Sequence, residues 1–148
     1  MSGVPPSRHA KLADLVVRLW YDIDHNEGAN AHAFFTRDAE LRFDNATFRG
    51  SAEIKQVYAD RAERGERVSR HLVTNVHITS ARRGRVCTTS NLLLFGQDGV
   101  VPRPSTSPAL IADVHDEFVR RRFHWLIASR HIEYLFIAPT TELAVPSA

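Results

Sequence analysis

Residues 67–80 read RVSRHLVTNVHITS, and apolar or β-branched side chains recur at every second position from Leu72 to Ile78. Alternation with a period of two predicts a β-strand whose side chains point to two different faces. One face carries Leu72, Thr74, Val76 and Ile78, and the other carries His71, Val73, Asn75 and His77. Neither face is wholly polar, so we predict that both faces of the sheet are covered.

Three more stretches downstream show the apolar, β-branched patterns that are typical of strands. They run over about residues 85–96, 108–120 and 122–137, and turn signals separate them. Residues 97–108 contain three prolines and no periodicity, so they form either a flexible loop or a lid over a pocket. The chain from residue 67 onward is therefore predicted to be a sheet of four long strands.

Helical patterns precede this sheet. Apolar residues recur at three- and four-residue steps between Leu12 and Ile23, which predicts an amphipathic helix. A short second helix is expected over residues 31–35 and a third one from residue 51, with two short strands within residues 39–48. The expected N-caps are Ser7, Asn30 and Ser51, and the expected end signals are Gly28 and Gly65.

Helices followed by strands indicate an α+β protein. Three short helices cover only one face of the sheet, so we predict that the outer face is a contact between subunits. The expected assembly is a homo-oligomer, most simply a two-fold dimer, with a trimer as the alternative. A charge introduced at Val76 is expected to weaken this assembly.

The composition is that of one globular domain, with 43% apolar and 24% charged residues in a chain of 148. We expect one domain over residues 1–148, with its core at about 8–137 and a flexible tail at 139–148. The net charge of +2 is too small to predict a nucleic-acid partner, and no apolar run is long enough to predict a membrane span. The single cysteine, Cys87, and the lack of a signal-peptide pattern favour the cytoplasm.

The sequence contains no phosphate-binding glycine loop, nucleophile elbow or cysteine pair. Asp113, His115 and Glu117 alternate on one strand face with a spacing that metal ligands also show. We interpret them as a solvated face that pairs with the nearby arginines. The sequence therefore predicts no metal site and no cofactor.

Asp24 and His71 are the more informative residues. Asp24 lies near the C-terminal end of the first predicted helix, where the helix dipole disfavours a negative charge. It follows Trp20 by four residues and so shares the face of that side chain, which indicates either a raised pKa of its carboxyl group or a need for a partner. His71 projects from the first long strand onto the face that the helices cover. A histidine there is either a hydrogen-bonded core residue or a working base.

The order of elements resembles the SnoaL-like branch of the nuclear transport factor 2-like superfamily. The resemblance rests on FFTRDAE at residues 34–40, RHLVTN at residues 70–75 and the segment from Trp125 to Arg130, and it covers about residues 8–137. It implies a cone-shaped, strongly curved mixed or antiparallel sheet wrapped around three helices. An apolar pocket would open inside that cone.

Hexachlorocyclohexane dehydrochlorinase and scytalone dehydratase of this superfamily carry an Asp-His pair inside the cone. The resemblance implies that Asp24 and His71 form this pair, and that Arg130 binds a departing anion or an oxyanion. It implies a cofactor-independent lyase or isomerase with His71 as general base, acting on a small apolar or aromatic substrate. The expected substrate-binding wall is Trp20, Tyr21, Phe34, Phe43, Tyr58, Phe95 and Phe136.

Two alternatives remain open. The chain resembles the small subunit of ring-hydroxylating dioxygenases, or a ligand-binding scaffold, in which His71 is a structural residue. An epoxide-opening hydrolase of the same fold needs two acidic groups in the pocket, and Asp24 is the clear candidate for only one of them. An open cavity beside Asp24 and His71 favours an enzyme, whereas a filled interior favours a scaffold.

Overall fold

The computed structural model describes residues 6–139. Two α-helices, one 3-10 turn and six β-strands follow one another along this part of the chain. They are α1 (Arg8–His25), the 3-10 turn (Ala31–Phe34), β1 (Phe35–Phe43), β2 (Ala46–Arg49), α2 (Ser51–Glu63), β3 (Arg67–Arg82), β4 (Arg85–Asp98), β5 (Leu110–Arg121) and β6 (His124–Ile137). The predicted α+β class and the four long strands are confirmed.

The six strands form one curved, mixed sheet in the order β2-β1-β6-β5-β4-β3. β1 runs parallel to β6, and every other neighbouring pair is antiparallel. The sheet curves around α1 and α2, so its inner face lines a cone. This agrees with the predicted cone-shaped fold, although two α-helices and one 3-10 turn replace the three predicted helices.

The core lies between the inner face of the sheet and the apolar stripe of α1. Leu12, Val16 and Leu19 occupy successive turns of α1 and are fully buried. Buried side chains of the long strands meet them from the sheet, among them Val86, Leu92, Val114, Phe118 and Ile127. This packing fixes α1 across the inner face and thereby fixes where its last turn ends.

The predicted helix signals are confirmed in part. The Ser7 hydroxyl caps α1 as predicted, since it accepts a hydrogen bond from the Ala10 backbone N–H at 3.1 Å. Gly65 has a φ of +105° just beyond α2, which is the left-handed conformation predicted for it. Ser51 is wrong as an N-cap: it is the first residue of α2, and Gly50 precedes it with a φ of +84°.

The predicted second helix is shortened because β1 begins earlier than expected. Phe35 already lies in β1, in register with Ile127 of β6. Asn30 precedes the 3-10 turn, but its side chain makes no cap hydrogen bond. Its backbone N–H instead donates to Oδ2 of Asp22 in α1 at 3.0 Å. Pairing with the sheet has therefore overridden the helical preference of this segment.

A bulge at Asn75 changes which way β3 faces. The register with β4 shifts between Thr74 and His77, and Asn75 has a φ of +54°. Val73 before the bulge and Ile78 after it both pack against the core. The sequence assigned these two residues to opposite faces, and that assignment is wrong beyond Asn75 because the extra residue inverts the alternation.

Val76 is affected by the same inversion. Its carbonyl oxygen accepts a hydrogen bond from Nε2 of His9 in α1 at 2.7 Å. The backbone at this position therefore contacts the helix that covers the inner face. A charge at Val76 is not a suitable probe of the outer sheet face.

Residues 99–109 join β4 to β5, and the Gln97 side chain donates to the Pro104 carbonyl oxygen at 2.6 Å. No helix within residues 6–139 combines the length and the apolar character needed to cross a membrane. Of the tail predicted at 139–148, all but the first residue lies outside the described part of the chain.

Candidate active site

Asp24 and His71 meet where the last turn of α1 passes over the start of β3. The packing of α1 on the inner face brings residue 24 to this point, and the alternation of β3 turns residue 71 inward. The side chains of Asp24 and His71 are only 5% and 11% exposed. The two residues that the sequence analysis singled out are therefore in direct contact.

Three hydrogen bonds hold the Asp24 carboxylate. Oδ1 accepts from the Ser69 hydroxyl at 2.8 Å and lies 2.6 Å from Nδ1 of His71, while Oδ2 accepts from the His71 backbone N–H at 2.8 Å. An ionised carboxylate can only accept hydrogen bonds, so Nδ1 of His71 carries the proton. The neutral ring then has Nε2 as its free base position.

The pKa of Asp24 is lowered from its ordinary value of 3.8. Burial alone would raise it, but the hydrogen bonds that His71 and the Ser69 hydroxyl donate, together with the electrostatic attraction of His71, outweigh burial. Asp24 is therefore ionised throughout the neutral range, and the negative charge beside His71 is permanent there.

Trp20 supports the imidazole from α1. The rings of Trp20 and His71 stack with centroids 4.3 Å apart and an angle of 10° between their planes. Trp20 and Asp24 are four residues apart on the same helix face, so one turn of α1 holds both the ring and the Nδ1 atom of His71. The imidazole has little freedom to rotate.

A cavity of about 100 Å³ lies beside this pair. Apolar side chains from both helices and four strands form most of its wall, and Asp24, Ser69 and His71 form a polar patch within it. The lining residues are Trp20, Ile23, Asp24, Glu27, Phe43, Tyr58, Arg61, Ala62, Gly65, Arg67, Ser69, His71, Leu92, Leu94, Leu110, Ile132 and Tyr134. The interior of the cone is therefore hollow beside the candidate base.

Charged side chains mark the mouth of the cavity. Arg61 of α2 and Arg67 of β3 both donate to Oδ1 of Asp98, at 2.7 and 3.0 Å. Glu27 and Gly65 also line the cavity and are exposed to solvent. No residue of the 99–109 connection contributes to the wall, so the structure gives no support to the lid interpretation.

Two tyrosines place phenol groups in the wall. Burial raises the pKa of Tyr58 to about 12, while the charges of Arg130 and Asp22 act on it in opposite directions. Burial and the neighbouring Asp44 raise the pKa of Tyr134 to about 12 as well. Both phenols therefore stay protonated at neutral pH and can donate a hydrogen bond.

The predicted aromatic wall is found only in part. Trp20, Phe43 and Tyr58 line the cavity. Tyr21, although adjacent to Trp20, lies on another side of α1, is 63% exposed and packs on the His25 ring. A helix turns about 100° per residue, so neighbours in sequence face different surroundings.

The other three predicted wall residues also lie away from the cavity. Phe34 is half-buried with the Arg18 guanidinium 5.7 Å from its ring centroid. Phe95 follows the cavity-lining Leu94 on β4 and so points to the opposite face of the sheet. Phe136 is 69% exposed near the end of β6.

Arg130 is not placed as predicted. It is fully buried, and its Nε and Nη2 atoms donate to the two carboxylate oxygens of Asp116 at 2.7 and 2.8 Å. Its guanidinium carbon lies 4.8 Å from the centroid of the Trp20 ring, and Arg130 does not line the cavity. The expected contact between Arg130 and an anion in the pocket has no support, because Asp116 already balances its charge.

Sequence reasoning missed Ser69, Tyr134 and Asp116. Ser69 precedes His71 by two residues and so shares its strand face, a signal that was present in the sequence. Asp116 and Arg130 are direct partners in the register of β5 and β6. Tyr134 follows the inward-facing Ile132 by two residues on β6 and so shares its face, a signal that was also present in the sequence. The pairing of Asp116 with Arg130 cannot be derived without the strand register.

Known proteins share the fold of this chain. The SnoaL-like domain description matches residues 7–131. ActVI-ORFA from Streptomyces coelicolor superposes with a TM-score of 0.71 at 24% identity, covering 85% of this chain and 96% of that one. A candidate scytalone dehydratase from Novosphingobium aromaticivorans gives a TM-score of 0.76 at 16% identity, covering 93% and 90%.

A further structure with a different role has the same fold. The beta subunit of a candidate aromatic-ring-hydroxylating dioxygenase from Novosphingobium aromaticivorans superposes with a TM-score of 0.78 at 15% identity, covering 93% of this chain and 95% of that one. No functionally curated protein sequence matches the chain. Similarity at this level shows the fold, and the chemistry has to be argued from the site.

Proposed function

Since the chain belongs to the SnoaL-like domain family, we propose that its cavity is the active site of a cofactor-independent lyase or isomerase. The reaction begins with removal of a proton from a carbon atom of a small apolar or aromatic substrate. The observation that carries this proposal is the hold of Asp24 on both the backbone and the ring of His71 beside an open cavity. A histidine that only fills space needs no fixed tautomer, whereas a general base does.

Asp24 and His71 divide the work of proton removal. Asp24 keeps the proton of the neutral imidazole on Nδ1, so Nε2 is the atom that takes the substrate proton. The imidazolium that forms is then stabilised by the adjacent carboxylate, which stays ionised. In an isomerisation the same Nε2 returns the proton to another carbon, and in an elimination it passes the proton to the leaving group or to solvent.

Removal of the proton leaves negative charge on the substrate, and a hydrogen-bond donor is needed to stabilise it. Tyr58 and Tyr134 line the cavity as protonated phenols, and each can donate a hydrogen bond to an oxyanion that develops on the substrate. We assign them the role that the sequence analysis gave to Arg130. A neutral donor in an apolar wall favours a carbonyl or enol oxygen over a free halide.

The alternative is a ligand-binding scaffold or a dioxygenase small-subunit-like protein. The similarity to a dioxygenase beta subunit supports this reading. In that case the contact of Asp24 with His71 would serve only to join α1 to β3. An epoxide hydrolase is less well supported, since the second carboxylate on the wall, Glu27, is solvent-exposed.

A generic carbon acid tests for a working base without knowledge of the natural substrate. We would measure the elimination of 5-nitrobenzisoxazole, an aromatic probe in which removal of the ring C–H proton breaks the N–O bond and releases a phenolate nitrile. The intact protein is expected to exceed the buffer rate, and His71→Gln is expected to abolish this excess. His77→Gln is the matched control, because His77 is an exposed residue of the same strand and does not line the cavity.

The two readings predict opposite results in this assay. Loss of the excess in His71→Gln with retention in His77→Gln supports the enzyme. A rate that equals buffer for the intact protein, or one that is unchanged in His71→Gln, leaves the scaffold as the better description.

We also propose that two copies of the chain form a dimer through the outer face of the sheet. An apolar row crosses four strands there, since Leu72, Leu93, Ile111 and Phe136 are successive register partners from β3 to β6. Leu72 is 48% exposed and Phe136 is even more exposed. A continuous apolar row open to water favours burial against a second copy.

We further propose that the protein resides in the cytoplasm. Cys87 is a free thiol on the described part of the chain. A free thiol that is partly accessible is compatible with a reducing compartment.

A further inference from the structure

A second cluster of chemically capable side chains lies on the outer face of the sheet, away from the cavity. Asp113 and His115 of β5 and Glu133 of β6 each direct one oxygen or nitrogen atom to the same place, and these atoms all lie within 4.8 Å of one another. The strands β5 and β6 are interior members of the six-stranded sheet. The cluster therefore stands on rigid backbone.

The charges in this cluster are poorly balanced by protein groups. Asp113 and Glu133 are direct register partners on antiparallel strands, so their side chains stand next to each other on one face. Two like charges at such a position destabilise strand pairing. The contact between Glu133 Oε2 and His115 Nε2, at 2.9 Å, places one imidazole between two carboxylates. A bound cation would balance both.

Neighbouring residues hold two members in the orientation that metal ligands need. Nε2 of His115 donates to Glu133 in this structure, and Nδ1 lies 3.0 Å from the Thr89 hydroxyl. When a metal ion replaces the Nε2 proton, the same hydroxyl can accept from Nδ1–H and hold the ring in the orientation that a ligand needs. The Asn91 side-chain amide donates to Oδ1 of Asp113 at 2.7 Å. Outer contacts of this kind are typical of protein metal sites.

The cluster differs from the triple that the sequence suggested. Glu117 is drawn away, because its carboxylate pairs with Arg85 on β4. Glu133, from the neighbouring strand, takes the third position beside Asp113 and His115. The sequence-based interpretation missed this set because strand pairing, not spacing along one strand, brings the three together.

We propose that Asp113, His115 and Glu133 form a binding site for a divalent first-row transition ion, with Zn²⁺ as the expected occupant. One imidazole and two carboxylates suit such an ion, whereas Mg²⁺ and Ca²⁺ prefer oxygen ligands alone. Small side-chain rotations bring the ligand atoms to about 2.0–2.2 Å from a central ion. His115 and Glu133 are partly exposed in the single chain, so water or a polar group of the second copy on this face completes the coordination.

This site is independent of the proposed reaction, so its test uses metal binding and not turnover. The chelator-treated full chain is titrated with Zn²⁺ by calorimetry and with Co²⁺ by visible absorption. We expect one ion per chain. His115→Gln and Glu133→Gln are each expected to weaken binding at least about 10-fold, and Thr89→Val to weaken it by about 10-fold through His115.

His124→Gln is the matched control, because His124 is an exposed histidine at the other end of β6. Unchanged Zn²⁺ binding in this variant, with loss in the other three, supports the site. Absence of binding at millimolar Zn²⁺, or binding that is equal in the intact protein and His115→Gln, overturns it. Circular dichroism of each variant shows whether the sheet is intact.

Discussion

The carboxylate of Asp24 engages His71 with both of its oxygens, Oδ2 on the backbone N–H and Oδ1 on the ring Nδ1. The first bond fixes where β3 lies relative to α1, and the second fixes the orientation and tautomer of the imidazole. A single side chain therefore links the placement of a strand to the chemistry of its histidine. The following experiments test these two roles and the features around them.

Asp24→Asn separates the role of Asp24 in placing β3 from its role in setting the tautomer of His71. The amide can still accept from the backbone N–H, but its NH₂ group can donate to Nδ1 and so favour the tautomer with the proton on Nε2. We expect the elimination rate of the probe to fall on the order of 100-fold or more. Nitrogen NMR of the His71 ring would show the changed tautomer. A full rate in this variant would contradict the assigned role.

The lowered pKa of Asp24 makes stability depend on pH in a defined direction. Because the folded-state pKa lies below the ordinary value of 3.8, the ionised group stabilises the fold above that pH. This contribution is lost as the pH falls through the lower, folded-state pKa. Urea unfolding between pH 7 and pH 2.5 is expected to show a smaller acid loss in Asp24→Asn than in the intact protein. Parallel curves would show that Asp24 does not supply this dependence.

Gly28 leaves room for the Tyr58 ring. A Cβ atom at Gly28 would lie 2.8 Å from Cγ and Cδ1 of Tyr58, whereas one at Gly84 would meet nothing within 4 Å. The two glycines have nearly equal φ values of +71° and +73°. Gly84→Ala should therefore lose only about 1–2 kcal/mol of unfolding free energy from backbone strain.

Gly28→Ala should lose more than Gly84→Ala, by about 1–3 kcal/mol for the added overlap. It should also weaken binding of aromatic ligands, because the displaced Tyr58 ring lines the cavity. Urea unfolding of the matched pair checks the first expectation, and quenching of tryptophan fluorescence by the probe checks the second. Equal losses in the two variants would mean that the Tyr58 contact relaxes freely.

Asp116 and Arg130 form a fully buried pair. Asp116→Asn leaves a buried guanidinium without its counter-charge, and we expect a loss of about 3–5 kcal/mol in unfolding free energy. The double variant Asp116→Leu with Arg130→Met removes both charges and should recover most of that loss. Glu117→Gln is the control, since its pair with Arg85 is solvent-exposed and is worth about 0–1 kcal/mol.

The outer apolar row is tested at Leu72. Leu72→Glu introduces a charge into the row that joins Leu93, Ile111 and Phe136. If a second copy covers this row, light scattering should show the mass falling from dimer to monomer. Lys55→Glu on α2, an exposed residue on the helical side of the sheet, should leave the mass unchanged. A monomeric intact protein would remove the dimer from the proposal.

Local pattern was sufficient for the long strands, for α1 and for the central pair. The helical stripe around Trp20 and the four-residue step to Asp24 place both side chains on one helix face, and alternation in β3 turns His71 toward them. Short-range periodicity decides these relationships. The same logic would have identified Ser69, which shares the strand face of His71.

Relationships between strands were not available from the sequence. The pairing of Asp116 with Arg130 depends on the register of β5 and β6, and so does the outward position of Phe136, because the shift between Ile111 and Ala112 inverts the alternation of β6 beyond Tyr134. Phe95 and Phe136 were expected in the pocket because they are large and aromatic, but residue type does not determine which face a strand residue occupies. Tertiary pairing decides that question, and a one-residue shift reverses the answer.

The bulge at Asn75 has a consequence for how such a protein can diversify. It divides β3 into a portion that carries Ser69 and His71 and a portion that carries Ile78 against the core. Because the two portions are out of phase, substitutions in the cavity-lining portion need not disturb the packing of Ile78 against the core. One strand can therefore vary in sequence at the cavity while its other portion keeps the same packing in the core.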